Sequence, residues 1–199
     1  MLGLLALAIA YLLGAIPFGY LLVKFSKGAD VRDAGSGNIG ATNVLRTAGR
    51  AEAVATLILD IGKGFLSVWI AARLTADSPL WTSLAALAVM AGHAFPVFLK
   101  FKGGKAVASF IGAFLYLTPL PLAAVLVLFV LTVARTRHIS AGSILAAGAF
   151  PFAVWMILHP PVEITVAALI AGAFIVYRHS GNIERLRKGT ERVFMWKKP

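Results

Sequence analysis

Residues 2–23 read LGLLALAIAYLLGAIPFGYLLV, a stretch of 22 residues without a single charged side chain. At about 1.5 Å per residue, a helix of this length crosses a hydrocarbon core of about 30 Å. No Lys or Arg precedes the stretch, so it does not have the pattern of a secretory signal peptide. Its first charges follow it, at Lys24, Lys27 and Arg32. Because basic residues stay on the cytoplasmic side, the amino terminus is predicted to lie outside.

The composition of the whole chain agrees with this beginning. Of the 199 residues, 59% are hydrophobic before the 19 glycines are counted, and only 14% are charged. Soluble domains are about 45–50% apolar with glycine included. So much apolar surface does not fit inside one water-soluble core. The chain contains no cysteine, which excludes disulfides, thiolate catalysis, iron–sulfur clusters and zinc sites with cysteine ligands.

Seven apolar runs can be traced along the chain. They cover residues 2–23, 51–75, 79–99, 106–118, 122–134, 142–158 and 162–177. The fourth and fifth runs are short for a full crossing, and they are predicted to be tilted, to lie in a thinned region, or to form a re-entrant pair around Pro119 and Pro121. All three arrangements keep the same sidedness for the rest of the chain.

The basic residues support a seven-segment topology. The four connections that then face the cytoplasm are 24–50, 100–105, 135–141 and 178–199, and they hold 17 of the 19 Lys and Arg residues. The net charge of +11 therefore reports topology and contact with anionic lipid rather than nucleic acid. The prediction is an all-α integral membrane protein, a single polytopic domain over 1–199 with seven transmembrane helices, the amino terminus outside and the carboxyl terminus cytoplasmic.

The first polar cytoplasmic loop reads DAGSGNIGATN over 33–43 and is followed by Arg46. Alternating glycines with Ser, Asn and Thr let backbone N–H groups and short side chains converge on an anion. A helix that starts behind the loop would add its positive end, and Arg46 a fixed fork of donors. The alternative interpretation is a plain turn with an Asn or Thr helix cap.

The second loop ends the third run as GHAFPVFLKFKGGK over 92–105. A Gly-Gly-Lys turn that opens a helix suits a phosphate, with Lys105 as the point charge. It is not a Walker A loop, because Leu99 replaces its first glycine and Ala106 replaces the residue that binds magnesium. Lys100 and Lys102 are more typical of interfacial anchors that contact lipid headgroups.

The tail reads RHSGNIERL over 178–186, and Gly189-Thr190-Glu191 follows. His179 is predicted to be a proton acceptor near neutral pH, a cationic phosphate ligand or a structural residue.

Within the second run, Asp60 and Lys63 stand three residues apart on one helix face. Charges inside a membrane normally face the protein interior, so a buried structural ion pair is favoured over direct catalysis. His93 is assigned to capping or orienting the loop that it precedes.

The sequence has no metal-binding constellation and no nucleophile elbow. Instead, several neutral or cationic groups that hold anions lie at one membrane interface. They fit a reaction whose substrates bring both negative charge and chemical activation.

The ordered set of motifs resembles the bacterial glycerol-3-phosphate acyltransferases that use acyl phosphate, the PlsY family. The resemblance lies in the residues at 35–43, at 92–105 and at 179–191, together with GAIPFG at 14–19 and DIGKG at 60–64. It departs at Ser180-Gly181, where the family often has a basic residue after the histidine.

The resemblance implies transfer of a fatty acyl group from acyl phosphate to the 1-hydroxyl of glycerol 3-phosphate. Lysophosphatidic acid and inorganic phosphate would be the products, in the first step of phospholipid synthesis. The implied setting is the bacterial inner membrane, with the site on the cytoplasmic side in the loops 24–50, 92–105 and 178–191. No cofactor and no nucleic acid is implied. The implied partners are the two substrates, membrane lipids and, as a candidate, the enzyme that makes acyl phosphate.

Three sets of residues carry the expected site. The catalytic set is His179, Ser36 and Asn182. The substrate-binding set is Asn38, Thr42, Asn43, Arg46, Gly103, Gly104 and Lys105. The structural set is Asp60, Lys63, His93 and Glu191. The proton of the attacking hydroxyl goes either to His179 or to the donor's own phosphate, and the sequence leaves both open. The competing function is a membrane transporter of a phosphorylated solute, which would place polar groups near the membrane midplane.

Overall fold

The structure, a computed structural model, describes residues 1–194. The regular secondary structure in that part of the chain is entirely helical, without a strand. The α-helices are α1 (Leu2–Ala15), α2 (Phe18–Lys27), α3 (Ala41–Thr47), α4 (Arg50–Leu74), α5 (Pro79–Ala94), α6 (Val107–Leu117), α7 (Pro119–Thr136), α8 (Ile139–Leu158), α9 (Val162–Arg178) and α10 (Ser180–Arg187). Two short 3₁₀ turns, Val31–Asp33 and Val97–Leu99, lie in the first two polar loops.

Each of the seven predicted apolar runs corresponds to a helical stretch. Five stretches within 1–194 are long and apolar enough to cross a membrane: Leu2–Lys27, Arg50–Leu74, Pro79–Leu99, Pro119–Thr136 and Ile139–Leu158. A sixth is the pair α9 and α10, which is bent by 55° between its two helices, and α6 is a shorter apolar helix. The predicted all-helical class is therefore confirmed, with five or six candidate spans among residues 1–194.

Two of the predicted runs differ from the structure in their details. The first run is broken, because α1 ends at Ala15 and α2 begins at Phe18. Pro17 lacks an N–H group and holds Ile16 in an extended conformation, with φ −63° and ψ 114°. The fifth run is not a short segment beginning at 122, because α7 begins at Pro119 and has 18 residues. Its prolines fall in the first turn of the helix, where backbone N–H groups need no partner within the helix.

The chain divides into two compact units, Met1–Leu117 and Thr118–Pro199, and the second is described here as far as residue 194. In the first unit, α4 packs against α1, α5 and α6, and α1 also packs against α5. In the second unit, α8 packs against α7, α9 and α10.

Small residues let the helices of the first unit approach closely. Ala6, Ala10, Ala71 and Ala85 form one buried apolar cluster. Between α4 and α6, a Cβ on Gly112 would overlap the carbonyl oxygen of Ile61. Interfaces of this kind are typical of helices in membranes, where close backbone packing replaces the hydrophobic driving force. Large apolar side chains are correspondingly exposed on the outer surfaces of the helices.

Candidate active site

The first polar loop is organised by the side chain of Asn43, which is 1% exposed. Its Oδ1 accepts a hydrogen bond from the Ser36 N–H at 2.7 Å. Its Nδ2 donates to the carbonyl oxygens of Val31 at 2.9 Å, Ala34 at 3.1 Å and Asn38 at 2.9 Å. Because these bonds use both ends of the amide, Asn43 shapes the loop from inside. This differs from the expected contact with substrate, and it places Ser36 on the exposed surface of the loop.

Thr42 and Arg46 lie in α3, and Asn38 lies three residues before it. The Oδ1 atom of Asn38 accepts a hydrogen bond from the Gly40 N–H at 2.8 Å, immediately before the helix begins. Thr42 and Arg46 are four residues apart, which places them on one face of a helix. All three residues are half-buried. The helix itself has only seven residues, so the anion-binding capacity of this region rests on its side chains.

An ion pair that the sequence interpretation missed lies at the start of the same loop. Arg32 and Asp30 form a two-pronged pair, with Nη2–Oδ2 at 2.6 Å and Nε–Oδ1 at 3.0 Å. The Arg32 guanidinium holds the pKa of the Asp30 carboxyl below its usual value, mainly through this hydrogen bond. The Asp-x-Arg spacing was visible in the sequence. Another aspartate, Asp33, directly follows Arg32, and nothing in the sequence showed which of the two would be the partner.

The second polar loop is joined to the first by a buried apolar cluster. Leu99 lies in this cluster together with Val31, Ile39 and Val44 from the first loop and α3. Within the first unit, this cluster therefore brings the two glycine-rich loops together.

The Gly103-Gly104-Lys105 turn has a different construction from the one predicted. The Gly103 N–H donates to the carbonyl oxygen of Ala94 at 3.2 Å, and the Gly104 N–H donates to that of His93 at 3.1 Å. The two N–H groups thus bind the backbone that precedes the loop, in place of the expected phosphate. A Cβ on Gly104 would overlap the imidazole of His93, so glycine is required here for close packing. Lys105 remains the candidate cation of the turn.

A group of buried polar side chains lies beneath this turn. Asp60 and Lys63 are 2% and 4% exposed, and Lys63 Nζ lies 2.8 Å from Asp60 Oδ1. His93 Nδ1 lies 3.6 Å from the same carboxylate oxygen. The two predicted structural charges and the predicted structural histidine therefore form one cluster, which also contains Ser109 of α6 at 3.4 Å from His93 Nδ1.

In the second unit, His179 lies between α9 and α10 and is 3% exposed. Its Nδ1 lies 2.8 Å from the carbonyl oxygen of Ile175. A carbonyl oxygen only accepts hydrogen bonds, so Nδ1 carries the proton of the neutral ring. Nε2 then holds the lone pair, which is the arrangement that a proton acceptor requires.

Asn182 is held by Glu191, and its amide orientation follows from that contact. Asn182 Nδ2 donates to Glu191 Oε1 at 2.7 Å. The same carboxylate accepts from Ser140 Oγ at 2.8 Å and from Arg185 Nε at 2.8 Å. Burial would raise the pKa of Glu191, but these three hydrogen bonds together lower it below its usual value. Glu191 thereby ties the tail to α8 and α10, and its basic partner is Arg185.

Two residues of this cluster, Ser140 and Arg185, were not predicted. Ser140 lies 51 positions before Glu191 in the chain, and no local pattern relates a serine at the start of one helix to a carboxylate in a tail. Among the described residues, no three His, Cys, Asp or Glu side chains stand close enough to hold a metal ion.

The sequence as a whole matches known proteins along nearly its full length. The family described as glycerol-3-phosphate acyltransferase matches residues 4–189. A protein named glycerol-3-phosphate acyltransferase from Geotalea daltonii is 49% identical over 93% of this chain and 94% of its own length. A protein of the same name from Geobacter sulfurreducens is 46% identical over 96% of this chain and 97% of its own length.

Two solved structures have the same fold. Both are described as PlsY (YgiH), an integral membrane glycerol 3-phosphate acyltransferase, one in a glycerol 3-phosphate form and one in a lysophosphatidic acid form. The first is 37% identical, with a TM-score of 0.91 over 97% of this chain and 96% of that one. The second is 36% identical, with a TM-score of 0.89 over 98% and 96%. The chain is a membrane acyltransferase by fold, and it belongs to the glycerol-3-phosphate acyltransferase family.

Proposed function

We propose that this protein transfers a fatty acyl group from acyl phosphate to the 1-hydroxyl of glycerol 3-phosphate, releasing lysophosphatidic acid and inorganic phosphate. One observation carries the proposal. The two solved structures that share its fold over nearly the whole chain are described with glycerol 3-phosphate in one and lysophosphatidic acid in the other. These are an acceptor and its monoacylated product, and they define an acyl transfer.

Acyl phosphate is the donor that best fits the chemistry of these loops. It is a mixed anhydride, so its carbonyl carbon is already activated and needs no covalent intermediate on the protein. The hydroxyl oxygen of glycerol 3-phosphate attacks that carbon, the bond from the carbonyl carbon to the phosphate oxygen breaks, and the phosphate leaves with the electron pair. Catalysis then consists mainly of holding two anions side by side and stabilising the carbonyl oxygen as its charge develops.

The anion-binding residues of the first unit are assigned on this basis. Lys105 and Arg46 supply positive charge, and Ser36, Asn38 and Thr42 supply short polar side chains on the same pair of loops. Asn43 acts from inside the first loop, where its four hydrogen bonds fix the Ser36 backbone. Gly103 and Gly104 let the Lys105 turn lie directly against His93.

His179 and Asn182 are assigned to the hydroxyl that reacts. With Nδ1 donating to Ile175, the Nε2 atom of His179 is able to accept the hydroxyl proton. The alternative acceptor is the departing phosphate, in which case His179 orients the substrate. Asn182, with its N–H donating to Glu191, has its oxygen as a second acceptor for a substrate hydroxyl.

The proposed setting is the inner membrane of a bacterium. Seven crossings, with the amino terminus outside, place the three motif loops and the carboxyl terminus in the cytoplasm. The acyl tail then remains in the bilayer while both phosphates are bound from the cytosol. The enzyme that makes acyl phosphate is the natural partner, because its product is poorly soluble in water.

A comparison of donors tests the proposal. Purified protein in lipid is given glycerol 3-phosphate together with palmitoyl phosphate, palmitoyl-CoA or palmitoylated acyl carrier protein. We expect lysophosphatidic acid and an equal amount of phosphate from palmitoyl phosphate alone. A transporter of a phosphorylated solute would instead move glycerol 3-phosphate into vesicles without consuming any donor. Product formed from palmitoyl-CoA and none from palmitoyl phosphate would refute the proposed donor.

A further inference from the structure

The buried polar cluster of the first unit consists of Asp60, Lys63, His93 and Ser109, and the assigned chemistry uses none of these side chains. They come from three helices, α4, α5 and α6, and each is at most 4% exposed. The carboxylate of Asp60 lies 2.8 Å from Lys63 Nζ and 3.6 Å from His93 Nδ1, and Ser109 Oγ lies 3.4 Å from the same nitrogen of His93.

An ion pair at this position is costly for a role in packing alone. Removing two charges from water carries a large desolvation cost, and apolar side chains of the same volume often serve stability as well or better. Within a membrane protein the cost is greater still, and such charges mark function more often than packing.

One set of contacts leads directly to the Lys105 turn. The imidazole of His93 has Asp60 and Ser109 at its Nδ1 edge, and Gly104 packs against its Nε2 edge. The backbone of His93 also accepts the hydrogen bond from the Gly104 N–H. The orientation of this ring thus determines where Gly104 lies, and Lys105 is the next residue.

The backbone around the turn needs such external support. Lys100, Phe101 and Ala106 all have positive φ angles, of 53°, 62° and 61°. Residues with a Cβ avoid this region, and they adopt it where surrounding contacts hold them there. The turn is therefore held by its contacts with His93 and Ala94 and not by its own conformational preference.

A second set of contacts leads to the break between α1 and α2. Lys63 Nζ donates to the carbonyl oxygen of Ile16 at 2.8 Å, and the ammonium group lies 5.6 Å from the centre of the Phe18 ring. Lys63 is thus fixed both by this break and by Asp60, so the carboxylate oxygen that lies near His93 also has a rigid partner in Lys63.

We infer that Asp60 is a positioning residue for substrate binding: it holds the His93 imidazole, which seats Gly104 and so sets the position of Lys105. The inference rests on the proposed function in that Lys105 is taken as a phosphate-binding cation. Lys63 and Ser109 complete the support, and neither Asp60 nor His93 needs to touch a substrate.

The test is a double-mutant cycle of Asp60 with Lys105. The variants Asp60→Asn, Lys105→Ala and the double variant are purified in lipid, and KM and kcat are measured for each substrate. We expect Asp60→Asn to raise the KM of the same substrate whose KM responds to Lys105→Ala. Since a misplacement of about 1 Å can cost about 100-fold in rate, we expect kcat/KM to fall by about 10-fold to 100-fold. The kcat/KM of the double variant should be no lower than that of the less active single variant, because the effects of coupled residues do not add.

A matched control comes from α5, the helix that carries His93. Ser83 is a buried side chain of that helix whose hydroxyl has no hydrogen-bond partner within residues 1–194. Ser83→Ala should keep both KM values.

Since Asp60→Asn leaves the charge of Lys63 buried alone, a second variant, Asp60→Asn with Lys63→Met, removes both charges at similar volume. If Asp60→Asn is not recovered as folded protein, this double variant takes its place in the cycle with the same expectation.

Two results would overturn the inference. One is unchanged KM values in Asp60→Asn, or in its replacement, with a loss only in the amount of folded protein. The other is a loss in the double variant equal to the product of the two single losses. The same cycle is measured by calorimetric titration with glycerol 3-phosphate and with inorganic phosphate. Those titrations need no acyl donor, so a failure of the proposed reaction is distinguishable from a failure of the positioning role.

Discussion

Asn182 donates its side-chain N–H to Oε1 of Glu191 at 2.7 Å, and this contact joins a predicted catalytic residue to the tail of the protein. The carboxylate is 7% exposed and also accepts from Arg185 and Ser140. One acidic side chain therefore fixes both the fold of the tail and the direction in which the Asn182 amide points.

The first prediction concerns the pH dependence of this contact. The pKa of Glu191 is lowered in the folded state from its ordinary value of 4.5. Its contribution to stability is therefore complete above that ordinary value and is lost as the pH falls through the lowered value. We expect the difference in Tm between the wild type and Glu191→Gln to be large near about pH 7 and to shrink toward about pH 3.

The control for Glu191 is Glu184, whose pair with Lys188 is 66% exposed on both side chains. Exposed pairs contribute little, so Glu184→Gln should change Tm only slightly at any pH. A Tm difference for Glu191→Gln that stays constant across the pH range would show that ionisation of Glu191 does not support the fold.

The second prediction concerns Gly104. A Cβ at this position would overlap His93, whereas a Cβ at Gly62 would meet nothing within 4 Å. We expect Gly104→Ala to shift the Lys105 turn and lower kcat/KM by about 10-fold or more. Gly62→Ala, in a helix, should keep wild-type kinetics and the same or a slightly higher Tm. Equal kinetics for the two variants would mean that close packing against His93 is unimportant for the reaction.

The third prediction concerns His179. As a general base it contributes about 10²-fold to 10⁴-fold, so His179→Ala should lower kcat strongly and remove the acidic limb of the pH–rate profile. His179→Lys and His179→Arg should then fail to restore the rate. If His179 is instead a cationic ligand, those two variants recover part of the activity through KM. If the leaving phosphate takes the proton, His179→Ala keeps the acidic limb at a lower rate. A wild-type rate for His179→Ala would remove this residue from the site.

The fourth prediction concerns topology. Single cysteines introduced near Ser36, Lys102, Arg137 and Lys188 should react with a membrane-impermeant reagent from one side only. Cysteines near Asp77 and His159 should react from the opposite side. The chain has no native cysteine, so labelling needs no background correction. Labelling of position 188 from the same side as position 77 would contradict seven crossings.

The apolar segments could be predicted from the sequence because each requires only a long run of apolar side chains. Their ends were less predictable. The sequence interpretation treated Pro119 as an interruption, but the structure has it as the first residue of α7. Proline is unfavourable inside a helix and favourable in its first turn, and composition alone does not say which of the two applies.

The residues of the two glycine-rich loops could be found from the sequence. Which of them shape the loop from inside and which remain partly exposed could not. Asn43 and Asn38 are alike as letters in a polar loop. Only the three-dimensional structure shows that the Asn43 amide forms its hydrogen bonds inside the loop, whereas Asn38 is half-buried three residues before α3. In the same way, the N–H groups of Gly103 and Gly104 bind carbonyl groups that no local pattern identifies.

The measurement that tests the central claim most directly follows one oxygen atom. Glycerol 3-phosphate labelled with ¹⁸O in its 1-hydroxyl is converted with unlabelled palmitoyl phosphate, and both products are analysed by mass spectrometry. Because the hydroxyl oxygen attacks the carbonyl carbon, we predict that all of the label appears in the ester of lysophosphatidic acid and that the released phosphate is unlabelled. Label in the phosphate, or an ester without label, would contradict acyl transfer from acyl phosphate to this hydroxyl.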